Sequence, residues 1–199
     1  DERVPALSKI NFFDKLGSLG DKSKRLQKLV PTICEFIGLD RVNGAVKAAR
    51  LAKADLSTMM VNEFPELQGV MGGYYASADG EPPEVCRAIS GHYAPLGPMD
   101  ACPSEPLTIT ISIADKIDTL VGFFAINEKP TGSKDPFALR RAALGIIRTI
   151  LENKLRIPLK QLISKSLDEY PHLTDSNELL DFINERLKVY LRGSGLKPD

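Results

Sequence analysis

Apolar side chains recur at three- and four-residue steps along most of this chain, and that period predicts helices rather than strands. Between Asp21 and Gly38 the series Leu26, Leu29, Val30, Ile33 and Ile37 forms one stripe, with Asp21 placed to cap, Gly38 placed to stop and Pro31 marking a point of bending. From Arg41 to about Phe64 the positions Ala45, Ala49, Ala52, Leu56, Met59 and Met60 fit a single helical face, whose small alanines invite a neighbouring helix to approach closely. Pro65, the glycines between Gly69 and Gly73 and the Asp79-Gly80 pair cut the next stretch into short pieces, and Pro82 opens a helix to about Tyr93.

The five breakers Pro95, Gly97, Pro98, Pro103 and Pro106 predict a loop over Tyr93 to Pro106. Leu107 to Ile126 is the most apolar stretch. It starts with strand-like alternation, but Ile113, Ala114, Ile117, Val121 and Phe124 keep helical steps, so one long buried helix accounts for more of it. A second loop, Asn127 to Lys134, feeds Asp135-Pro136, the residue pair favoured at a helix start, and Leu139, Ala143, Ile146 and Ile150 line the helix that follows to about Lys154. Two further helices are expected, Leu159 to Tyr170 and one from Asp175, where Glu178 completes a capping-box pattern; residues 193–199 read as a tail. No strand needs to be invoked. The expected fold is an all-α bundle, with residues 1–155 as its main domain and 156–199 as a helical extension of the same or an adjoining one.

Composition changes this picture little. The 199 residues are 43% hydrophobic and 26% charged, which suits a water-soluble domain of ordinary core size and leaves no run able to span a bilayer. Cys34, Cys86 and Cys102 are widely spaced and odd in number, without a zinc-type pair, and imply a reducing, cytoplasmic setting. The chain opens at Asp1 without Met or leader and reads as a processed or excised piece of a longer one. Charge is unevenly spread although it sums to zero: residues 1–60 and 106–160 each carry an excess of four basic side chains, while 61–105 carry six extra acids and 161–199 two. Local basic patches can bind a polyanion even on a neutral chain.

Four blocks resemble, in order, the β subunit of the bacterial heterotetrameric glycyl-tRNA synthetase: Phe13 to Arg25 (FDKLGSLGDKSKR), Lys53 to Gly72 (KADLSTMMVNEFPELQGVMG), Ala114 to Gly122 (ADKIDTLVG) and Lys129 to Gly145 (KPTGSKDPFALRRAALG). With the spacing between them they cover roughly residues 7 to 155. Gly20 departs from the family, which often has a basic residue before Asp21-Lys22. The resemblance implies a middle part of that subunit, similar to an HD-superfamily helical domain, working in glycylation of tRNA. The implied partners are glycine-specific tRNA, the remaining β-subunit domains and a separate α subunit. That α subunit would hold the ATP and Mg site and activate glycine, leaving no cofactor and no catalytic residue in this piece.

Read from the residues alone, the basic positions stay open between two roles. Lys129, Lys134, Arg140 and Arg141 surround a loop that feeds a helix N-terminus, where backbone N–H groups and the helix dipole favour phosphate; equally, Asp135 caps that helix and the four are solvated or locally paired. Lys22, Lys24 and Arg25 on the first turns of a helix suit phosphates of tRNA or a plain charged outer face. Lys53 lies beside the alanine stripe, where a lone ammonium is costly, so Asp115 or Asp118 is expected as its partner in a structural ion pair.

An HD-type hydrolase holds metal with a His, a His-Asp pair and a further Asp. Asp115 resembles the last of these, but Leu51 to Asp55 contains no His and the chain has only His92 and His172, each expected to be structural. The metal site is therefore expected to be degenerate. A residual hydrolase, and a scaffold that touches no RNA, remain the rivals to tRNA positioning. Gly69, Gly72 and Gly73 lack the Lys-Ser/Thr of a phosphate loop and are expected at turns or close helix contacts.

Overall fold

The computed structural model describes residues 2–170 and 177–193, and it is mostly helical. The elements are a short hairpin, β1 (Asn11–Phe13) and β2 (Gly17–Ser18), then α1 (Leu19–Ile37), α2 (Val42–Leu51), α3 (Met59–Glu63), α4 (Val70–Ala78), α5 (Pro83–Gly91), α6 (Pro106–Ala125), α7 (Leu139–Glu152), α8 (Leu159–Leu167) and α9 (Asn177–Gly193). Helix α6 is the axis. Covered on every side, it is buried from Leu107 to Phe124 except at Thr119, and α1, α2, α5, α7, α8 and α9 pack round it. Leu162, Ile163, Leu179 and Ile183 from α8 and α9 join the same core as Leu26, Ile33, Ile111 and Ile117.

Helix α1 begins earlier than the apolar stripe predicts. Ser18 is the N-cap, its Oγ accepting from the Asp21 backbone N–H at 3.1 Å while the Asp21 carboxylate accepts from the Ser18 N–H at 3.0 Å. Asp21 is thus the far half of a capping box rather than the cap itself. The helix runs through Pro31, whose position faces solvent, and stops at Gly38 in the left-handed conformation, φ 69°.

The single helix expected over Arg41 to Phe64 is not formed. The chain leaves helix α2 after Leu51, turns through a 3₁₀ segment at Ala54–Ser57 and restarts in α3 at Thr58, whose hydroxyl caps the Val61 N–H. The break has a tertiary cause: it sends Lys53 inward to Asp115 and places the Asp55 carboxylate under α4, where its Oδ2 accepts from Gly69 N at 2.6 Å and Gly72 N at 3.0 Å. The glycines there serve close approach. A Cβ on Gly72 would lie 2.8 Å from Ile89 Cγ2, and one on Gly73 would collide with the Ser90 hydroxyl of α5.

Two other expectations are corrected. The hairpin supplies strands where none was predicted, antiparallel and only three and two residues long, with Phe12 and Phe13 set edge-on against Phe123 of α6. Helix α7 starts at Leu139, not at Pro136, because Phe137 first turns inward to stack on Phe123 with centroids 4.1 Å apart and Ala138 then takes a left-handed conformation, φ 55°. The expected capping box beginning at Asp175 and the structural role expected for His172 fall on residues outside the described ones.

Candidate nucleic-acid interface and the buried ion cluster

Helices α1 and α6 face each other with charges in matching register. Lys22 and Arg25 are one helical turn apart, as are Asp115 and Asp118, and the two pairs meet in the interior. Lys22 Nζ lies 3.0 Å from Asp118 Oδ2 and 3.1 Å from Asp115 Oδ1, and donates to Thr119 Oγ1 at 2.8 Å. Arg25 Nε donates to Asp118 Oδ1 at 2.7 Å and its Nη1 to the Leu16 carbonyl at 3.1 Å, while the Tyr170 hydroxyl donates to the same Asp118 oxygen at 2.9 Å. Lys22 is only 2% exposed and Arg25 9%. The charged outer face expected for them is therefore corrected: in this fold their cationic groups are committed inside, and of that trio Lys24 alone stays on the surface, 74% exposed at its side chain and 3.7 Å from Asp21.

Lys53 completes the cluster. Its ammonium is 3.0 Å from Asp115 Oδ2, 2.8 Å from His92 Nε2 and 3.8 Å from the centre of the Tyr93 ring. Asp118, the other partner considered for it, is taken by Lys22 and Arg25. His92 is fully buried at the end of α5, and its Nδ1 lies 2.6 Å from the Ile89 carbonyl. That contact assigns the proton to Nδ1, and Nε2 is then a lone-pair acceptor for Lys53. Lys116, the next residue along α6, is held by Ser112 Oγ at 2.9 Å and by the Ala94, Tyr93 and His92 carbonyls at 3.0, 3.1 and 3.4 Å. It thereby fastens the turn that follows α5 to α6.

Burial and charge set the protonation states. Burial works against ionisation of Asp115 and Asp118, but the facing cations outweigh it and hold both carboxyls below their ordinary range. Burial lowers His92 to about 3, with the Lys53 charge adding to it, so the imidazole is neutral. Burial also lowers Lys53 and takes Lys116 down to about 8, Asp115 offsetting part of each. Three cations thus contact two carboxylates, with Lys116 beside them bonded only to neutral oxygens; the buried Asp55 carboxylate also acts on Lys53, so four buried cations stand against three carboxylates here. An imidazole nitrogen and a carboxylate converge here as they would on a metal ion, but the ligand between them is an ammonium. Among the described residues no group of three or more His, Cys, Asp or Glu is placed to hold a metal.

The second basic group lies on the surface, beyond the end of α6. Lys129 pairs with Glu178 of α9 at 2.6 Å, and Arg140 Nη2 donates to the Gly132 carbonyl at 2.7 Å. Lys134 and Arg141 are exposed, and no side-chain partner of either is found among the described residues. The free helix N-terminus expected beside them is corrected as well: Asp135 accepts from the Leu139 and Arg140 N–H groups at 2.8 and 3.0 Å, so those donors are already satisfied. Between the two basic groups opens a cleft of about 370 Å³, lined by Tyr93, Leu96, Asp115, Lys116, Phe137 and Arg141 among others.

Sequence reasoning missed Lys116 and Tyr93 as members of this assembly, and read His92 as structural without placing it beside Lys53. A lysine in the middle of a 20-residue apolar helix was the available signal for the first, since such a charge must be tethered. Nothing local marks Tyr93, or the approach of Lys53 to His92, since Tyr93 and His92 both come from the segment just after α5.

Fold and site together define a helical domain built round a buried ion cluster, with a basic loop beside a cleft on its surface. The chain belongs to the glycyl-tRNA synthetase beta subunit family, whose model matches residues 1–199. Relatives named glycine–tRNA ligase beta subunit include those of Ruegeria sp., 50% identical over 98% of this chain, Phenylobacterium zucineum, 48% over 100%, and Dinoroseobacter shibae, 46% over 98%. This chain spans 28 to 31% of the length of those relatives.

Proposed function

We propose that this chain works within glycine–tRNA ligase as a non-catalytic part of the β subunit that binds and positions tRNA. On that reading a separate α subunit supplies ATP, Mg and amino-acid activation, other β-subunit regions flank this one, and the assembly is cytoplasmic. The observation that carries the proposal is the division of the basic side chains. Lys22, Arg25, Lys53 and Lys116 are held inside by named partners, whereas Arg141 at the cleft and Lys134 in the preceding loop stand exposed, with no carboxylate answering them among the described residues. A conformation that leaves such cations uncommitted suits a phosphate backbone, and Lys24, Lys129 and Arg140 extend the same surface chemistry at weaker or partly committed sites.

The same reading makes the helices HD-like with a degenerate metal site, the Lys53 ammonium standing between His92 and Asp115 where a cation would be held. That arrangement supports tRNA handling over hydrolysis, because an ammonium cannot activate water as a Lewis acid.

The test is an electrophoretic shift of tRNA by this chain across a salt series. Binding is expected to weaken steeply as salt rises, and the double change Arg140→Glu, Arg141→Glu is expected to weaken it further while leaving the circular dichroism spectrum unchanged. No shift at low salt assigns the chain to a purely structural role within the synthetase.

A further inference from the structure

Two features of the cleft beside Arg141 are not used by a simple electrostatic surface: it is concave, and it is walled by aromatic rings. Its floor is α6 at Asp115, Lys116 and Thr119; one wall is Tyr93, Pro95 and Leu96 after α5, and the other is Phe137, Ala138, Arg141 and Ala142 at the start of α7. Its volume, about 370 Å³, lies at the small end of the range for organic ligands, roughly 300–1,000 Å³, and is far below what a nucleic-acid helix or a protein element needs. Phe137 is half-buried and backed by Phe123 at 4.1 Å, which fixes the plane of its ring. Tyr93 is fixed in turn by His92 at 3.9 Å and by the Lys53 ammonium. Burial, followed by the Asp115 charge, keeps the Tyr93 phenol protonated, and its hydroxyl has no hydrogen-bond partner among the described residues.

Charge selects among small planar ligands. Beneath the floor three cations share two carboxylates, Lys116 adds a fourth positive charge with no carboxylate in contact, and the buried Asp55 offsets one of these charges. At the mouth Arg141 is exposed and, among the described residues, uncommitted, while Arg140 is tied to Gly132 and Arg148 to Glu152. The α7 N-terminus contributes no free donors at Leu139 or Arg140, since Asp135 takes both. The occupant is therefore planar, anionic at one end and able to meet a phenol and a carboxylate edge at the other.

We infer that this cleft holds one unpaired nucleotide of an RNA strand, with its base against Phe137 and Tyr93 and its phosphate at Arg141. The inference rests on the tRNA-binding reading above and narrows it from a basic surface to a pocket for a splayed-out base, the mode by which proteins commonly take single-stranded RNA.

The experiment compares this chain with its Ala142→Phe, Arg141→Gln and Lys134→Gln variants against tRNA, a 12-nucleotide single strand and a duplex of the same length, each over a salt series. Ala142→Phe fills the cleft without changing charge. It is expected to weaken tRNA and single-strand binding at least tenfold with the salt slope unaltered, and duplex binding hardly at all. Arg141→Gln should weaken both about fivefold and reduce the salt slope by roughly one phosphate contact, while Lys134→Gln, outside the cleft, should act equally on single strand and duplex. If Ala142→Phe melts markedly lower than the parent, the fluorescence of a 2-aminopurine in the single strand decides instead. Quenching on binding, lost in Phe137→Leu, supports stacking, and quenching absent or unchanged overturns it. Normal tRNA binding by Ala142→Phe, or equal binding of strand and duplex, sinks the cleft inference and leaves the tRNA-binding reading standing; absence of tRNA binding by the unmodified chain removes both.

Discussion

The two basic groups of this domain look alike in sequence and are opposite in physics. Lys22 and Arg25 sit three residues apart near the start of α1, and Arg140 and Arg141 sit near the start of α7. The first pair is swallowed by a facing pair of aspartates, with distances of 2.7 to 3.1 Å and almost no exposure; the second lies at the surface, Arg140 half-buried and Arg141 exposed. The lesson is that a run of lysines and arginines declares its role only through what faces it. On α6 two carboxylates stand one helical turn apart, and that register, not the basic run, decides the outcome.

The comparison breaks most visibly if one buried carboxylate is removed. Asp118→Ala leaves Lys22 with one carboxylate instead of two, Arg25 with only the Leu16 carbonyl, and the Tyr170 hydroxyl with only the main-chain carbonyl of residue 118 at 3.3 Å. A loss of about 3–5 kcal/mol in unfolding free energy is expected, read by urea denaturation. A loss under about 1 kcal/mol would mean that water enters the cluster and that its charges are not held as described.

His92 gives the next effect, and it appears in the pH dependence. The unfolded imidazole titrates near 6.5, whereas burial and the Lys53 ammonium hold the folded one at about 3. Between those values the unfolded state binds the extra proton, so this group's contribution to stability falls as pH falls from 6.5 towards 3. The slope is about 1.4 kcal/mol per pH unit. His92→Gln keeps an acceptor for Lys53 but cannot titrate; its stability between pH 6 and 4 should fall more gently than that of the parent. Parallel curves would place the imidazole in water.

How much of this was legible beforehand follows from which forces are local. The long α6 and the stripe of α1 could be read because each repeats its apolar spacing over several turns, and a buried partner for Lys53 followed from the cost of a lone ammonium beside Ala49 and Ala52. The break after Leu51 was not legible, since Ala45, Ala49, Ala52 and Leu56 preserve helical spacing across it; the reasons to break, Asp115 and the Gly69 and Gly72 amides, lie far along the chain. The start of α7 was misplaced by three residues for the same kind of reason, a ring on Phe123 drawing Phe137 inward. The cleft was invisible because its walls come from three separate segments.

The surface group should be nearly silent in stability. Reversing Arg140 and Arg141 to Glu sacrifices one bond to the Gly132 carbonyl and no ion pair among the described residues, so the unfolding midpoint should move by no more than the equivalent of about 0.5 kcal/mol. A large loss would show that these arginines are structural, and would turn any accompanying loss of RNA binding into a folding artefact.

Lys129 sharpens the contrast at its weakest point, because among the described residues it is the one surface cation in this group that has a carboxylate. Its ammonium is 2.6 Å from Glu178, as short a contact as any in the buried cluster, yet the lysine side chain is 26% exposed and the glutamate 59%. If distance governed ion-pair strength, Lys129→Ala would cost as much as a change inside the cluster. Solvent screening and the entropy of two long side chains argue for roughly 0.2–1 kcal/mol instead, shrinking further in 0.5 M salt. Denaturation of Lys129→Ala at two salt concentrations measures both. A salt-insensitive loss above about 2 kcal/mol would show that α9 is fastened to the end of α6 by this pair and that water does not reach it, which would move Lys129 from the surface group into the interior one.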